Sequence, residues 1–120
     1  MPRLYLSYDP AEPDEWTLEA PYERKTSIGS VVVPAGFKTD LASTPRLVWL
    51  RFPRWGRWSG AAVVHDWFYR THPAGVTRYR ADRILLELMR EDAVRYGDSM
   101  TIYRAVREFG DTAWNRKQTA

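Results

Sequence analysis

The 120 residues predict an α+β fold in one domain: a small antiparallel β region over 1–36, an irregular stretch over 37–58 and three packed α-helices over 59–115. Three observations carry that prediction. Before residue 37 the apolar residues come in short runs cut by proline and glycine, as strands and turns do. After residue 59 they recur at i, i+3, i+4 and i+7, the stripe of a helix that packs on one face. There is no cysteine, so neither disulfides nor thiolate metal sites are available; the 14% aromatic share, with six Trp and seven Tyr, supplies the area a small core needs.

Each element follows from its residues. Leu4–Tyr8 reads as a strand stopped by Asp9-Pro10, and Glu15–Glu19 alternates with period two until Pro21. Ile28–Val33 is β-branched and ends at Pro34, before an Ala35-Gly36 turn. Pro45, Pro53 and Gly56 break the next stretch, which leaves room for one helical turn after Ser43-Thr44-Pro45. Ser59 is placed as the N-cap of a helix reaching Thr71, and Thr77 as the N-cap of a second. The second carries the stripe Ala81, Ile84, Leu85, Leu88, Met89 and is expected to run to Gly97. A third, capped by Asp98 or Ser99, carries Ile102, Ala105, Val106, Phe109 and Ala113.

Charge bounds the partners. The net charge is +3, from 18 basic and 15 acidic residues, too even for a typical nucleic-acid binder. Only Lys25, Lys38 and Lys117 are lysines; the other basic residues are arginine, which suits bidentate contact with carboxylate or phosphate. Residues 46–58 hold four arginines, three tryptophans and Phe52 with no acid. That mixture reads either as core with snorkelling arginines or as a surface for anionic lipid, with Arg54, Trp55 and Trp58 as the contacts. No apolar run is long enough to span a membrane, and no signal peptide is expected.

The chemistry gathers around His65-Asp66. Tyr69 lies four residues after His65, on the same helical face. The short connection after Thr71 favours antiparallel packing of the first two helices. His65 is then roughly 9 Å from the end of its helix and Asp82 roughly 7 Å from the start of the next, at 1.5 Å per residue. The two are nearly level, so a His65–Asp82 hydrogen bond is expected, in a concavity rather than in the dry core. That is the base-and-orienter pair of general-base catalysis. Asp66 points elsewhere and has two readings, a metal ligand or the partner of a nearby arginine. Asp40 is likewise a metal ligand or the cap of a turn. Two carboxylates, a loop carbonyl and waters suit Ca²⁺. The basic start of the second helix, Arg78, Arg80 and Arg83, runs against the helix dipole and calls for carboxylate partners or an anionic ligand.

Two resemblances rest on these residues. Val33–Pro45, Ala61–Tyr69 and Arg80–Arg83, in that order, look like the phage and prophage family filed as domain of unknown function 1353. That resemblance implies no activity. His65-Asp66-Trp-Phe-Tyr69-Arg70 followed by Ala81-Asp82 is similar to the helix pair of secreted phospholipase A2 enzymes, the bacterial forms above all. This second resemblance implies that His65 activates water, Asp82 orients it, and Asp66 holds Ca²⁺ with Asp40 and the Leu41 carbonyl. The chain departs from those enzymes in lacking cysteine.

Together these point to a calcium-dependent ester hydrolase encoded by a phage or prophage. His65, Asp82 and Tyr69 form its catalytic set; Asp40, Leu41 and Asp66 form its metal set. Its setting would be the host cytoplasm during infection, or the virion. The alternative is a non-enzymatic virion or tail-assembly protein, partnered by other phage structural proteins, in which the same polar residues fix helix packing.

Overall fold

Proline and glycine divide the first forty residues into five short strands: β1 Leu6–Tyr8, β2 Trp16–Leu18, β3 Tyr22–Thr26, β4 Gly29–Val33 and β5 Lys38–Thr39. A computed structural model of the chain describes residues 2–41 and 43–116. Its backbone clusters into two units, Met1–Asp40 and Leu41–Ala120. In the first, β2 is the middle strand of a three-stranded antiparallel sheet, with Leu6 opposite Leu18 and Trp16 opposite Thr39. A separate hairpin pairs β3 with β4, Tyr22 opposite Val33 and Thr26 opposite Gly29. Leu18, Tyr22, Val31 and Val33 are buried.

Strand β3 departs from the sequence expectation, which left Tyr22–Thr26 outside any strand. Its inward positions are Tyr22 and Arg24, so the buried face shows only one apolar residue. Arg24 is 2% exposed, donates from Nη1 to the Tyr22 hydroxyl at 2.9 Å and holds its guanidinium 5.8 Å from that ring. An arginine on the inner face hides the period-two signal that a strand normally gives.

The second unit is helical: α1 Arg46–Arg51, α2 Ser59–Thr71, α3 Arg78–Glu91, α4 Tyr96–Phe109 and α5 Asp111–Asn115. The two extra helices are short ones at the ends of the expected set. Within 37–58, α1 follows Pro45 where a helical turn was expected, and β5 lies in the part expected to be irregular. Helix α2 is buried continuously from Ser59 to Asp66, then at Phe68 and Tyr69, as befits a helix covered on nearly every side. It packs on α3, and α3 packs on α4. The expected α3 stripe is buried throughout.

Four helix ends differ from expectation; one is the end of α4 at Phe109, which leaves Ala113, expected on the same helix, in α5. Ser59 is the first residue of α2; its Oγ accepts the Gly56 N–H at 2.7 Å and so closes the preceding turn. Helix α3 stops at Glu91, not at Gly97. There Ala93, at φ 61°, donates to the Arg90 carbonyl and Val94 donates to the Met89 carbonyl. This is a Schellman close with alanine in the place usually given to glycine, which is why no glycine flagged it. Helix α4 therefore starts at Tyr96, and Asp98 and Ser99 fall inside it. Phe109, expected in the core, is 57% exposed at the last position of α4. Thr77 caps α3 as expected, accepting the Arg80 N–H at 3.1 Å.

Candidate functional site

Antiparallel packing of α2 on α3 brings His65, Tyr69 and Asp82 together. His65 Nε2 lies 2.7 Å from Asp82 Oδ1, and the Tyr69 hydroxyl donates to the same oxygen at 2.6 Å. His65 and Tyr69 are one helical turn apart, with ring centroids separated by 4.3 Å. The sequence expectation of a His65–Asp82 pair is met. The expectation of a solvent-facing concavity is not: both side chains are 0% exposed. The reason is the all-round burial of α2 at this level.

A carboxylate buried so deeply needs its charge matched and its lone pairs used. Arg107 of α4 donates from Nη1 to Asp82 Oδ2 at 2.6 Å. Burial alone would raise the Asp82 pKa; the hydrogen bonds from His65, Tyr69 and Arg107 outweigh it and hold the carboxyl below its ordinary value. Burial and the adjacent Asp82 push the Tyr69 phenol well above its own, so it stays a donor. Around Tyr69 the fit is close. Trp114 of α5 meets its ring edge-on at 5.1 Å, and a Cβ on Gly110 would sit 2.9 Å from its hydroxyl and would clash with the Val106 carbonyl. Trp114 also stacks on His72 at 3.8 Å.

At the basic start of α3, Arg78 meets backbone carbonyls and not the carboxylates or anionic ligand expected there. Arg78 donates from Nη2 to the carbonyls of Val106 and Arg107, at 2.9 and 2.8 Å, in the last turn of α4. It sits at the negative end of α4 rather than opposing the dipole of α3 alone. Arg83 lies 5.8 Å from the Tyr103 ring.

The other ring nitrogen of His65 meets a residue outside the sequence-derived set. Ser43 Oγ lies 3.1 Å from His65 Nδ1. A carboxylate only accepts, so Nε2 carries the proton shared with Asp82. In the neutral ring, Nδ1 is then the acceptor for the Ser43 hydroxyl. The three groups form a line from hydroxyl to imidazole to carboxylate. Two residues before Ser43 stands Leu41, a buried residue at φ 58°, in the left-handed region that costs a non-glycine residue roughly 1–2 kcal/mol. The Leu41 carbonyl accepts the Thr44 N–H at 3.1 Å, which tightens the turn. Thr44 is 2% exposed, and its hydroxyl has no hydrogen-bond partner among the described residues.

The sequence missed Ser43 and Arg107. Ser43 lies within the Val33–Pro45 stretch that carries the family resemblance, so a weak signal existed. Arg107 follows the buried Val106 on α4, and nothing local sets it apart from the other arginines.

Asp66 is buried on α2, with Arg70 Nε 3.6 Å from its Oδ2, so the arginine-partner reading of Asp66 holds. Asp40 ends the first unit, and Leu41 opens the second. Among the described residues, no three His, Cys, Asp or Glu side chains cluster as a metal site.

In the aromatic-arginine segment, Trp49, Arg54, Trp55 and Trp58 are all half-buried, between the core reading and the lipid-surface reading of that segment. Trp58 donates from Nε1 to the Pro53 carbonyl at 3.1 Å and meets Phe52 edge-on at 5.5 Å. It lines a concavity of about 540 Å³ with Arg57, Ala93, Val94, Arg95 and Asp98. His65 and Asp82 are not among those lining residues. No helix among the described residues is long and apolar enough to cross a membrane.

No curated protein and no solved structure matches the chain. A family model does, over residues 16–106, a span that holds Ser43, His65, Tyr69 and Asp82. By that match the chain belongs to the family described as "Protein of unknown function (DUF1353)".

Proposed function

We propose that this protein hydrolyses ester bonds, with His65 as general base. The observation that carries the reading is the 2.7 Å contact between His65 Nε2 and Asp82 Oδ1. It fixes the tautomer and leaves Nδ1 unprotonated, with a lone pair that can take a proton from the group bonded to it. Asp82 holds the ring, and Tyr69 and Arg107 hold Asp82, so the orienting carboxylate stays ionised. This is the support that the general-base arrangement requires.

Ca²⁺ belongs to the proposal through Asp40, the Leu41 carbonyl and Asp66. Hard oxygen donors suit that ion, which would polarise the ester carbonyl. Arg70 competes for Asp66, so metal binding there requires that ion pair to loosen. The substrate would be an ester at an anionic lipid surface, met by Arg54, Trp55 and Trp58, and the setting a phage-infected bacterial cytoplasm or a virion.

The test is turnover of p-nitrophenyl esters and of phospholipid vesicles, with EDTA and with millimolar Ca²⁺. Asp82→Asn is expected to lower kcat roughly 10²–10⁴-fold while far-UV circular dichroism stays unchanged. Asp40→Asn and Asp66→Asn are each expected to abolish a Ca²⁺-dependent rise in Tm. Native protein without turnover on any of these esters would end the hydrolase reading.

A second reading is favoured by the 0% exposure of both His65 and Asp82. The network would then serve only to lock α2, α3 and α4 in register, in a non-enzymatic phage virion or tail-assembly protein. Asp82→Asn would in that case change stability and nothing else.

A further inference from the structure

We infer that Ser43 is the nucleophile of this site, so that ester cleavage passes through an acyl group carried on its Oγ. The inference rests on the general-base reading of His65 and deepens it. A dyad acting on water needs only a vacant position at Nδ1. Here that position is taken by a protein hydroxyl at 3.1 Å, within the reach of a nucleophile and its base. The far side of the same ring is fixed by Asp82 at 2.7 Å. Hydroxyl, imidazole and carboxylate come from the turn closed between Leu41 and Thr44, from α2 and from α3, and the constellation is recognised by geometry rather than by chain order.

The neighbouring residue adds an independent observation. Thr44 carries a buried hydroxyl without a partner among the described residues, an arrangement that folded proteins rarely leave unexplained. A donor beside the nucleophile is what the oxyanion of a tetrahedral intermediate requires. In the first step Ser43 Oγ bonds to the ester carbonyl carbon while its proton passes to His65 Nδ1. The carbon–oxygen bond to the alcohol then breaks, and that proton leaves with the alcohol. In the second step water bonds to the acyl carbon and gives a proton to Nδ1. The bond to Ser43 Oγ breaks, and the serine recovers that proton as the acid departs. Ser43 is only 3% exposed, so a small acyl group is the fitting probe.

The experiment treats the native chain with diisopropyl fluorophosphate and with p-nitrophenyl acetate, reading intact mass, peptide mass and the first-turnover burst. One phosphoryl adduct on Ser43 is expected, together with a burst close to one equivalent. The adduct should be lost in His65→Ala. Ser43→Ala is expected to lower turnover roughly 10³-fold or more. Ser43→Cys, folded by circular dichroism, should regain a burst, or its introduced thiol should react with iodoacetamide faster when His65 is present. Turnover that needs His65 yet survives Ser43→Ala would overturn the inference and leave the general-base reading standing. Neither adduct nor turnover in the native chain would overturn both.

Discussion

The β3–β4 hairpin and the α2–α3–α4 cluster solve the same problem, fixing register, by different means. In the hairpin the fixing contacts are local. Thr26 sits opposite Gly29, and the positive φ of the connection, 109°, falls on that glycine. The Thr26 hydroxyl donates to the Gly29 carbonyl at 2.8 Å. In the cluster the fixing contacts are remote. Asp82 joins His65 across 17 positions and Arg107 across 25, and Ser43 reaches His65 across 22. Backbone geometry does in one place what a buried charge does in the other. A turn needs only the right φ; a buried carboxylate needs every partner at once, because each missing donor leaves charge uncompensated.

The largest expected effect therefore lies in the cluster. Asp82→Ala leaves Arg107, the Tyr69 hydroxyl and His65 Nε2 without their acceptor, and is expected to cost about 3–5 kcal/mol in urea denaturation. A loss under about 1 kcal/mol would mean that the network relaxes and that the contrast with the hairpin fails. The same residue gives a pH signature. A carboxyl with a lowered folded pKa contributes stability that is complete above its unfolded value, about 3.9, and is lost as pH falls through the folded value. Melts below about pH 4 should show that loss in the native chain. In Asp82→Asn this component should vanish; if it persists, other carboxylates carry the acid response.

Gly29→Ala probes the hairpin. No atom lies within 4 Å of the added methyl, so the effect is purely the backbone penalty at φ 109°. About 1–2 kcal/mol is expected, with faster amide exchange confined to Tyr22–Val33. Exchange rising equally across α2 and α3 would join the two regions in one cooperative response.

The smallest effect has the opposite sign. Ala93→Gly relieves the left-handed alanine that closes α3 and should stabilise by about 0.5–1 kcal/mol in the same urea titration. A destabilised variant would mean that the methyl group contributes more by packing than it costs in strain.

What could be read in advance divides along the same line as the comparison. The helix over 59–71, the α3 stripe, the Thr77 cap and the His65–Asp82 pairing were all legible, since 3.6-residue periodicity and rise per residue convert directly into faces and levels. The β3 strand was not, because Arg24 occupies an inward position where an apolar residue was awaited. Nor was the end of α3, where Ala93 takes the position of the usual glycine.

By itself, the sequence determined the α+β order, the buried face of α3, and the meeting of His65, Tyr69 and Asp82 across one helix pair. Those are consequences of spacing along one or two adjacent elements. Only the tertiary structure decided that Arg107 would neutralise Asp82, that Arg78 would serve the end of α4, and that Ser43 would take the second nitrogen of His65. Each of these joins elements more than twenty residues apart, where no local pattern encodes the contact. The burial of the dyad belongs with them: whether a polar pair faces water or protein is set by what packs over its helix, and a helix cannot specify its own cover.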